Sequence, residues 1–201
     1  MFVIVLVAFI AGLAVALLFG PKRHPAVGNA DGLVATVLPD PPELVAFRMQ
    51  DHQGRPFTQD DFKGHWSLVF FGFTSCPDIC PMTLQVLANV RQLMQDSGLQ
   101  PPTVTLVTVD PARDDLPALQ QYVAHFDPEF IGLRGADDQL LAFAKQVGAY
   151  YQPDAPDENG NYNVAHSAAL FLIDPQGRYH AVFSPPHYPD RIAETLARIS
   201  G

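Results

Sequence analysis

Continuous apolar runs alternate with amphipathic segments from residue 67 onward. The runs at 67–73 and 103–110 have the composition of strands that are covered on both faces of a sheet. After the first run, Leu84, Leu87 and Val90 recur at helical spacing. The pattern predicts four helices, over residues 82–94, 116–126, 137–148 and 189–200.

Turn residues divide the other segments of the chain. Asp51–Gly54 interrupts two apolar runs and predicts a β-hairpin, and Pro175–Gly177 predicts a second one. Residues 150–164 are polar and predict a loop. Two early strands with helical connections, then a hairpin and a helix, predict an α/β fold with a mixed sheet and helices on both faces. Sites in such sheets form at the carboxyl ends of parallel strands, so the loop after 67–73 and Asp110 are expected on one rim.

The amino-terminal segment has no charged residue between positions 2 and 20, a length of 19 residues. About 20 apolar residues span a bilayer as a helix, whereas a cleaved signal peptide has a shorter apolar region and a small-residue cleavage site. Lys22 and Arg23 follow the span and, by the positive-inside tendency alone, favour a cytoplasmic domain. The sequence predicts three parts: a transmembrane anchor over 1–20, a Pro-, Gly- and Ala-rich tether over 21–42, and a folded domain over 43–201.

Composition excludes several classes of protein. With a net charge of −9, the chain lacks the positive field that a general nucleic-acid-binding protein needs. Its two cysteines are too few for a disulfide-stapled scaffold and, alone, too few for a four-cysteine zinc site. The single pair, Cys76 and Cys80, remains as the candidate for cysteine chemistry.

Cys76 and Cys80 follow the first buried strand and lie at the start of the first predicted helix. The positive end of a helix favours a thiolate, so the pKa of a cysteine there is expected to fall. A structural disulfide would close too small a loop to stabilise the fold much. Redox pairs typically have two residues between their cysteines, whereas three residues separate Cys76 from Cys80. At a helix start this spacing brings both sulfurs to one face, and two thiolates suit a soft ion such as Cu(I). The spacing leaves a redox role and a metal role open.

Seven histidines are candidates for a third ligand. His166 stands where the polar loop enters a late buried strand, a corner that approaches the cysteine loop in thioredoxin-like folds. His187, after the last strand, is the one serious alternative. The other five have ordinary positions in the tether, in turns, on a helix surface or along a strand: His24, His52, His65, His125 and His180.

Two acidic features have structural interpretations. Asp110 and Arg113 are expected to form an ion pair at a strand end, in preference to direct metal ligation by Asp110. The acidic segment 153–161 has a spacing that fits no standard calcium loop, and we interpret it as a solvated loop.

Three motifs resemble the Sco/SenC family of membrane-anchored copper chaperones, which have a thioredoxin-like fold. They are FFGFTSCPDICPMTL, VTVDPARDD and YNVAHSAALFLIDPQGRY, in that order. The similarity extends over about residues 40–198. The resemblance implies that Cys76, Cys80 and His166 bind copper, as Cu(I), Cu(II) or both.

One position departs from the family pattern. Many members have an acidic residue just before the histidine, where this chain has Ala165. Any support of the histidine by that carboxylate is therefore absent or comes from another group, and Asp78 and Asp110 are the candidates.

The resemblance implies a carrier that is not an enzyme. Such a protein delivers copper to the copper-receiving subunit of cytochrome c oxidase or to a related copper protein, or keeps the cysteines of that acceptor reduced. It implies a membrane-anchored domain in the bacterial periplasm, with the mitochondrial intermembrane space as the second location, against the direction that Lys22 and Arg23 favour. The alternative from a different class is a thiol–disulfide oxidoreductase that acts on protein cysteines. A peroxidase ranks third, because the reactive cysteine of peroxiredoxins lies in a different local motif.

Overall fold

The structure is a computed structural model that describes residues 33–200. These residues form ten strands, one 3₁₀ helix over Gln59–Phe62 and four α-helices. The strands are β1 (Ala35–Val37), β2 (Met49–Asp51), β3 (Pro56–Phe57), β4 (Ser67–Gly72), β5 (Thr103–Thr108), β6 (Ile131–Arg134), β7 (Tyr151–Pro153), β8 (Val164–His166), β9 (Leu170–Ile173) and β10 (Tyr179–Phe183). The helices are α1 (Ile79–Asp96), α2 (Leu116–Phe126), α3 (Asp137–Val147) and α4 (Pro189–Ser200).

Eight strands form one mixed sheet in the order β1-β10-β9-β4-β5-β6-β2-β3. The strands β4, β5 and β6 are parallel to one another. β9 pairs antiparallel with β4, and β2 pairs antiparallel with β6. The β2–β3 and β9–β10 pairs are the two hairpins predicted at Asp51–Gly54 and Pro175–Gly177. A separate two-stranded sheet joins β7 to β8.

Helices cover both faces of the main sheet, as predicted. All six residues of β4 are buried, and its successive side chains point to opposite faces. On one face, Phe71 packs against Phe143 of α3 with ring centroids 5.5 Å apart, and Phe47 stacks on Phe143 at 4.6 Å. On the other face, Gly72 lies against Cys80 of α1, and α4 packs on α1.

Local signals determine where several elements begin and end. The Asp115 carboxylate precedes α2 and accepts a hydrogen bond from the backbone N–H of Ala118, which satisfies one free donor of the first turn. α3 ends at Val147 and is capped by Gly148, whose φ of +73° lies in the left-handed region that favours glycine. In the β9–β10 turn, the Asp174 carboxylate accepts a hydrogen bond from the backbone N–H of Arg178.

The prediction is confirmed for the long elements. The strands predicted at 67–73 and 103–110 are β4 and β5, and all four predicted helices are present. The segment 153–161 is exposed throughout, in agreement with a solvated loop.

Short elements differ from the prediction. β6 has four residues, includes Gly132 and lacks a long apolar run, so no strand was evident there. The loop predicted over 150–164 is wrong at both ends, because Tyr151–Pro153 pairs with a strand that begins at Val164. β1 lies inside the segment predicted as tether, where it pairs with β10. The described fold therefore includes residues that precede position 43.

The predicted anchor over residues 1–20 lies outside the described residues, as does the first part of the tether. Within residues 33–200, no helix combines the length and the apolar composition that crossing a membrane requires.

Candidate metal centre

Cys76 and Cys80 lie on the rim of the sheet, at the carboxyl end of β4. Cys76 is in the loop after β4, and Cys80 is in the first turn of α1. Cys80 is fully buried and Cys76 is 9% exposed. A Cβ atom at Gly72 would lie 2.7 Å from Cys80 Sγ. The glycine at the end of β4 therefore allows the sulfur to pack directly on the strand.

His166 reaches the two sulfurs from the end of β8. Its Nε2 lies 3.4 Å from Cys80 Sγ and 3.9 Å from Cys76 Sγ. The three donor atoms all lie within 4.8 Å of one another. Phe70 and Phe73 pack against the imidazole at steep angles, each with its ring centroid 5.8 Å away. The structure thus brings together the three residues singled out from the sequence, and their role as ligands stays a prediction.

The imidazole of His166 is oriented by the backbone. Its Nδ1 lies 3.1 Å from the carbonyl oxygen of Ser167. A carbonyl oxygen only accepts hydrogen bonds, so this contact requires the proton on Nδ1 and leaves the Nε2 lone pair toward the sulfurs. The Ser167 carbonyl, rather than Asp78 or Asp110, is the partner of Nδ1. Asp78 is exposed, and the Asp110 carboxylate has other partners.

Burial controls the protonation of Cys80 and His166. It raises the pKa of the Cys80 thiol far above its usual range, and the neighbouring Cys76 acts in the same direction. The expectation of a lowered pKa is therefore wrong for Cys80, because loss of solvent outweighs the favourable end of the helix. Burial also lowers the pKa of the His166 imidazole. Burial thus favours the neutral thiol of Cys80 and the neutral imidazole of His166 in the metal-free protein.

Asp114, which is one of the two aspartates that end the motif VTVDPARDD, holds the start of the cysteine loop. Its side chain is fully buried. Oδ2 accepts hydrogen bonds from the Thr74 backbone N–H at 3.0 Å and the Thr108 hydroxyl at 2.6 Å, and Oδ1 accepts one from the Thr74 hydroxyl at 2.6 Å. The carboxylate therefore joins the end of β5 to the segment just before Cys76.

Asp110 and Arg113 form the predicted ion pair. The Asp110 carboxylate is buried and also accepts a hydrogen bond from the Tyr162 hydroxyl at 2.7 Å. Arg113 Nη1 donates to the Tyr162 carbonyl oxygen at 2.9 Å. Tyr162 is a residue that the sequence reasoning missed, since its contacts join segments far apart in the chain.

His187 lies near the centre but does not belong to it. Its Nε2 lies 2.7 Å from the carbonyl oxygen of Ala168, two residues after His166. His52 is occupied elsewhere, because its Nδ1 accepts a hydrogen bond from the backbone N–H of Gly132. In the part of the chain that the structure describes, Cys76, Cys80 and His166 form the one cluster of three such side chains close enough to hold a metal ion.

Two sulfurs and one imidazole nitrogen form a donor set for a soft or borderline metal ion. Thiolates favour Cu(I), and imidazole also suits Cu(II). Structural zinc sites take four protein ligands, whereas this cluster supplies three. The donors therefore fit copper better than structural zinc.

The SCO1/SenC family model matches residues 38–201, most of the chain. The chain belongs to the SCO1/SenC family. The human protein "SCO2 homolog, mitochondrial" is 39% identical to this SCO1/SenC chain over 153 residues. That match covers 76% of this chain and 58% of the human protein, so the chain spans somewhat less than three fifths of that relative's length.

A bacterial relative and a solved structure extend the comparison of this SCO1/SenC chain. A SCO2-like protein of Rickettsia felis is 36% identical over 151 residues, which cover 75% of this chain and 73% of the relative. The structure of Bradyrhizobium japonicum ScoI with copper bound has a TM-score of 0.69 and 30% identity, and the match covers 78% of this chain and 98% of that one. The mixed α/β fold is thus the thioredoxin-like fold of Sco proteins.

Proposed function

We propose that this protein is a copper chaperone that holds one copper ion between Cys76 Sγ, Cys80 Sγ and His166 Nε2. The observation that carries the proposal is the convergence of these three donor atoms within 4.8 Å at the rim of the sheet. Copper in the related Bradyrhizobium japonicum ScoI structure supports it. The two sulfurs suit Cu(I), and the imidazole adds the nitrogen ligand that Cu(II) favours.

Copper binding in this centre is coupled to proton release. Burial raises the pKa of the Cys80 thiol, so the incoming metal must displace its proton. The imidazole of His166, whose pKa burial lowers, adds a donor without adding a charge. Two thiolates with Cu(II) are then neutral overall. Two thiolates with Cu(I) carry one negative charge, next to the amino-terminus of α1, which favours anions.

Copper titration of the reduced, metal-free, full-length protein in detergent tests the proposal. We expect one equivalent of copper per chain and loss of thiol reactivity at saturation, because both sulfurs become ligands. A protein with both Cys76→Ser and Cys80→Ser is the control and should bind neither oxidation state tightly. Saturation well below one equivalent, with both thiols still reactive, would contradict the carrier function.

We propose further that residues 1–20 anchor the protein in the bacterial inner membrane, with the domain in the periplasm. The 19 uncharged residues and the family resemblance support this proposal. A reporter that is active only after export, fused to the carboxyl terminus, should be active and sediment with membranes. An inactive reporter on a stable fusion would indicate a cytoplasmic domain, the direction that Lys22 and Arg23 favour.

The acceptor that we propose is the copper-receiving subunit of cytochrome c oxidase, on the strength of the same resemblance. Cells that lack the protein should assemble this subunit without its full copper content, as metal analysis of the purified oxidase would measure. A full copper content in such cells would indicate another acceptor.

A thiol–disulfide oxidoreductase is the second candidate, because both cysteines are free and their sulfurs lie within 4.8 Å. In that function the imidazole would be dispensable. Insulin reduction by wild type, Cys76→Ser and His166→Ala separates the two candidates. Strong turnover that persists in His166→Ala would favour the oxidoreductase, whereas background turnover with tight copper binding would favour the chaperone.

A further inference from the structure

A group of side chains next to the metal centre forms a closed set of contacts, which we call the Arg113 clamp: Asp110, Arg113 and Tyr162. Arg113 Nε donates to Asp110 Oδ2, and the Tyr162 hydroxyl donates to Asp110 Oδ1 at 2.7 Å. Arg113 Nη1 donates to the Tyr162 carbonyl oxygen at 2.9 Å. The guanidinium also lies over the Tyr162 ring, 3.8 Å from its centroid. Arg113 thus contacts both the backbone and the ring of Tyr162. It also pairs with Asp110, the carboxylate that accepts the hydrogen bond from the Tyr162 hydroxyl.

Hydrogen bonds from other residues hold the loop over 110–114, which carries Asp110 and Arg113 of the clamp. Arg134, at the end of β6, donates to the carbonyl oxygens of Pro111 at 2.8 Å and Asp114 at 3.0 Å. Asp110 and Asp114 are both buried, and Asp114 holds Thr74 through two hydrogen bonds. Loss of the clamp should therefore release Tyr162 and leave the loop over 110–114 in place.

His166 belongs to β8, which is not a strand of the main sheet. Among the described strands, β8 pairs with β7 alone. Tyr162 precedes His166 by four residues, so the clamp fixes the chain just before β8. The Arg113 guanidinium also lies 5.7 Å from the centroid of the Phe73 ring, which packs against the His166 imidazole. Two routes, one through backbone and one through rings, connect Arg113 to His166.

We propose that Arg113 is a positioning residue that holds His166 at the metal centre and leaves the cysteine pair to other contacts. This inference rests on the copper function proposed above. The cysteine loop is held by Asp114 through Thr74, and Cys80 packs on β4. None of those contacts includes Arg113, which approaches the ring of Phe73, whereas the Cys76 N–H donates to the backbone carbonyl of that residue. Removal of Arg113 should therefore loosen the nitrogen ligand and spare the sulfur ligands.

The two oxidation states of copper report separately on the two halves of the centre. Two thiolates satisfy Cu(I) tolerably, whereas Cu(II) favours an additional nitrogen ligand. Removal of a residue that orients a metal ligand typically costs about 10- to 100-fold in metal affinity. We therefore expect Arg113→Ala to weaken Cu(II) binding about 10- to 100-fold and to shift the thiolate-to-Cu(II) absorption. Cu(I) affinity should stay close to that of the wild type.

The test compares three clamp variants with a matched control in the full-length protein. Arg113→Ala removes the centre of the clamp, and Tyr162→Phe removes one hydroxyl but keeps the ring. Arg113→Lys keeps the charge but has one nitrogen for contacts that arginine makes with two. Arg178→Ala is the control, because Arg178 pairs with a buried carboxylate, Asp174, at the opposite end of the sheet. Its side chain is 37% exposed, against 31% for Arg113.

Hydrogen exchange in the metal-free protein provides a readout that does not depend on copper. The Ser167 N–H donates to the Tyr150 carbonyl at 2.9 Å, and the Asp154 N–H donates to the Asn163 carbonyl at 2.8 Å. Both amides report on the β7–β8 hairpin. In Arg113→Ala they should exchange about tenfold faster or more, the effect of losing a hydrogen bond to a charged group. Amides in α1 should exchange as in the wild type.

The outcomes are distinct. An intermediate Cu(II) affinity in Arg113→Lys, with Arg178→Ala like the wild type, would support the proposal. Unchanged Cu(II) affinity and unchanged hairpin exchange in Arg113→Ala would overturn it, as would equal losses for Cu(I) and Cu(II). If Arg113→Ala does not fold, Tyr162→Phe carries the same test with a smaller expected effect. If the wild type binds no copper, the proposed function fails, and hairpin exchange alone decides whether Arg113 positions His166.

Discussion

A methyl group added at Gly72 should disturb the proposed metal centre without changing any of the three proposed ligands. The new Cβ would lie 2.7 Å from Cys80 Sγ, 2.9 Å from Phe70 Cε1 and 3.1 Å from Leu106 Cδ1. All three neighbours are buried, so none can move aside into solvent. Because non-bonded heavy atoms prefer separations of about 3.5–4.0 Å, the sulfur must move by about 1 Å.

The size of the effect follows from this displacement. Overpacking a core costs about 1–3 kcal/mol. In a protein of this size each kcal/mol lowers Tm by about 2–4 °C, so the Tm of metal-free Gly72→Ala should fall by about 2–12 °C. The same movement changes the position of Cys80 Sγ relative to His166 Nε2, now 3.4 Å away. Affinity should therefore fall for both Cu(I) and Cu(II), unlike the selective loss expected at the nitrogen ligand.

Thermal unfolding of the metal-free protein and competition titrations with Cu(I) and Cu(II) measure these two effects. Gly135→Ala is the control, because its Cβ would also be crowded, 2.9 Å from Cγ of the buried Met49, but would have none of the three candidate ligands among its nearest neighbours. This variant should leave copper affinity unchanged. A Gly72→Ala protein with a lowered Tm but wild-type copper affinity and absorption would refute the idea that contact with β4 fixes the Cys80 sulfur.

Three further predictions concern the nitrogen ligand, its protonation and the support of the cysteine loop. His166→Ala should abolish the thiolate-to-Cu(II) absorption and largely retain Cu(I), while His187→Ala should leave both nearly unchanged; the reverse pattern in copper titrations would reassign the ligand. Burial lowers the pKa of the His166 imidazole, so the unfolded chain gains a proton at pH ~6.5 that the folded protein does not. The stability of the metal-free protein should therefore fall as the pH drops below ~6.5. Denaturant titrations should give His166→Ala a shallower pH slope than the wild type, and equal slopes would count against this account. Asp114→Asn should lower the free energy of unfolding by about 1–3 kcal/mol, because an NH₂ group replaces an oxygen that accepts hydrogen bonds; unchanged urea unfolding would show that the carboxylate is not needed to hold Thr74.

The long elements follow from periodicity, because burial over many residues leaves a pattern. Leu84 and Leu87 both lie on the buried face of α1, and the uninterrupted apolar run of β4 matches its burial on both faces. β7 and β8 leave no such pattern, since each has three residues and the partner of Tyr151 is His166. Pairing between short, distant segments is decided by tertiary packing, which local propensity does not encode.

The candidate site was predictable in position but not in its physical state. Cys76 and Cys80 had to lie together on the rim, because they are close in sequence at the end of a buried strand. That His166 lies near the two cysteines was predicted from the family resemblance and from its position before a late strand. The raised pKa of Cys80 depends on burial against β4, which the sequence does not reveal. The role of Arg113 was also hidden, since Tyr162 is 49 residues away in the chain.

The outermost strands of the main sheet are unusually short, with three residues in β1 and two in β3. One of the two residues of β3 is Pro56, which has no backbone N–H to offer. The strands β7 and β8 have three residues each. A peptide that docks by strand addition needs a longer row of unpaired backbone groups. In the part of the chain described here, the sheet edges therefore offer only short templates, both for a partner that docks by strand addition and for edge-to-edge aggregation of copies.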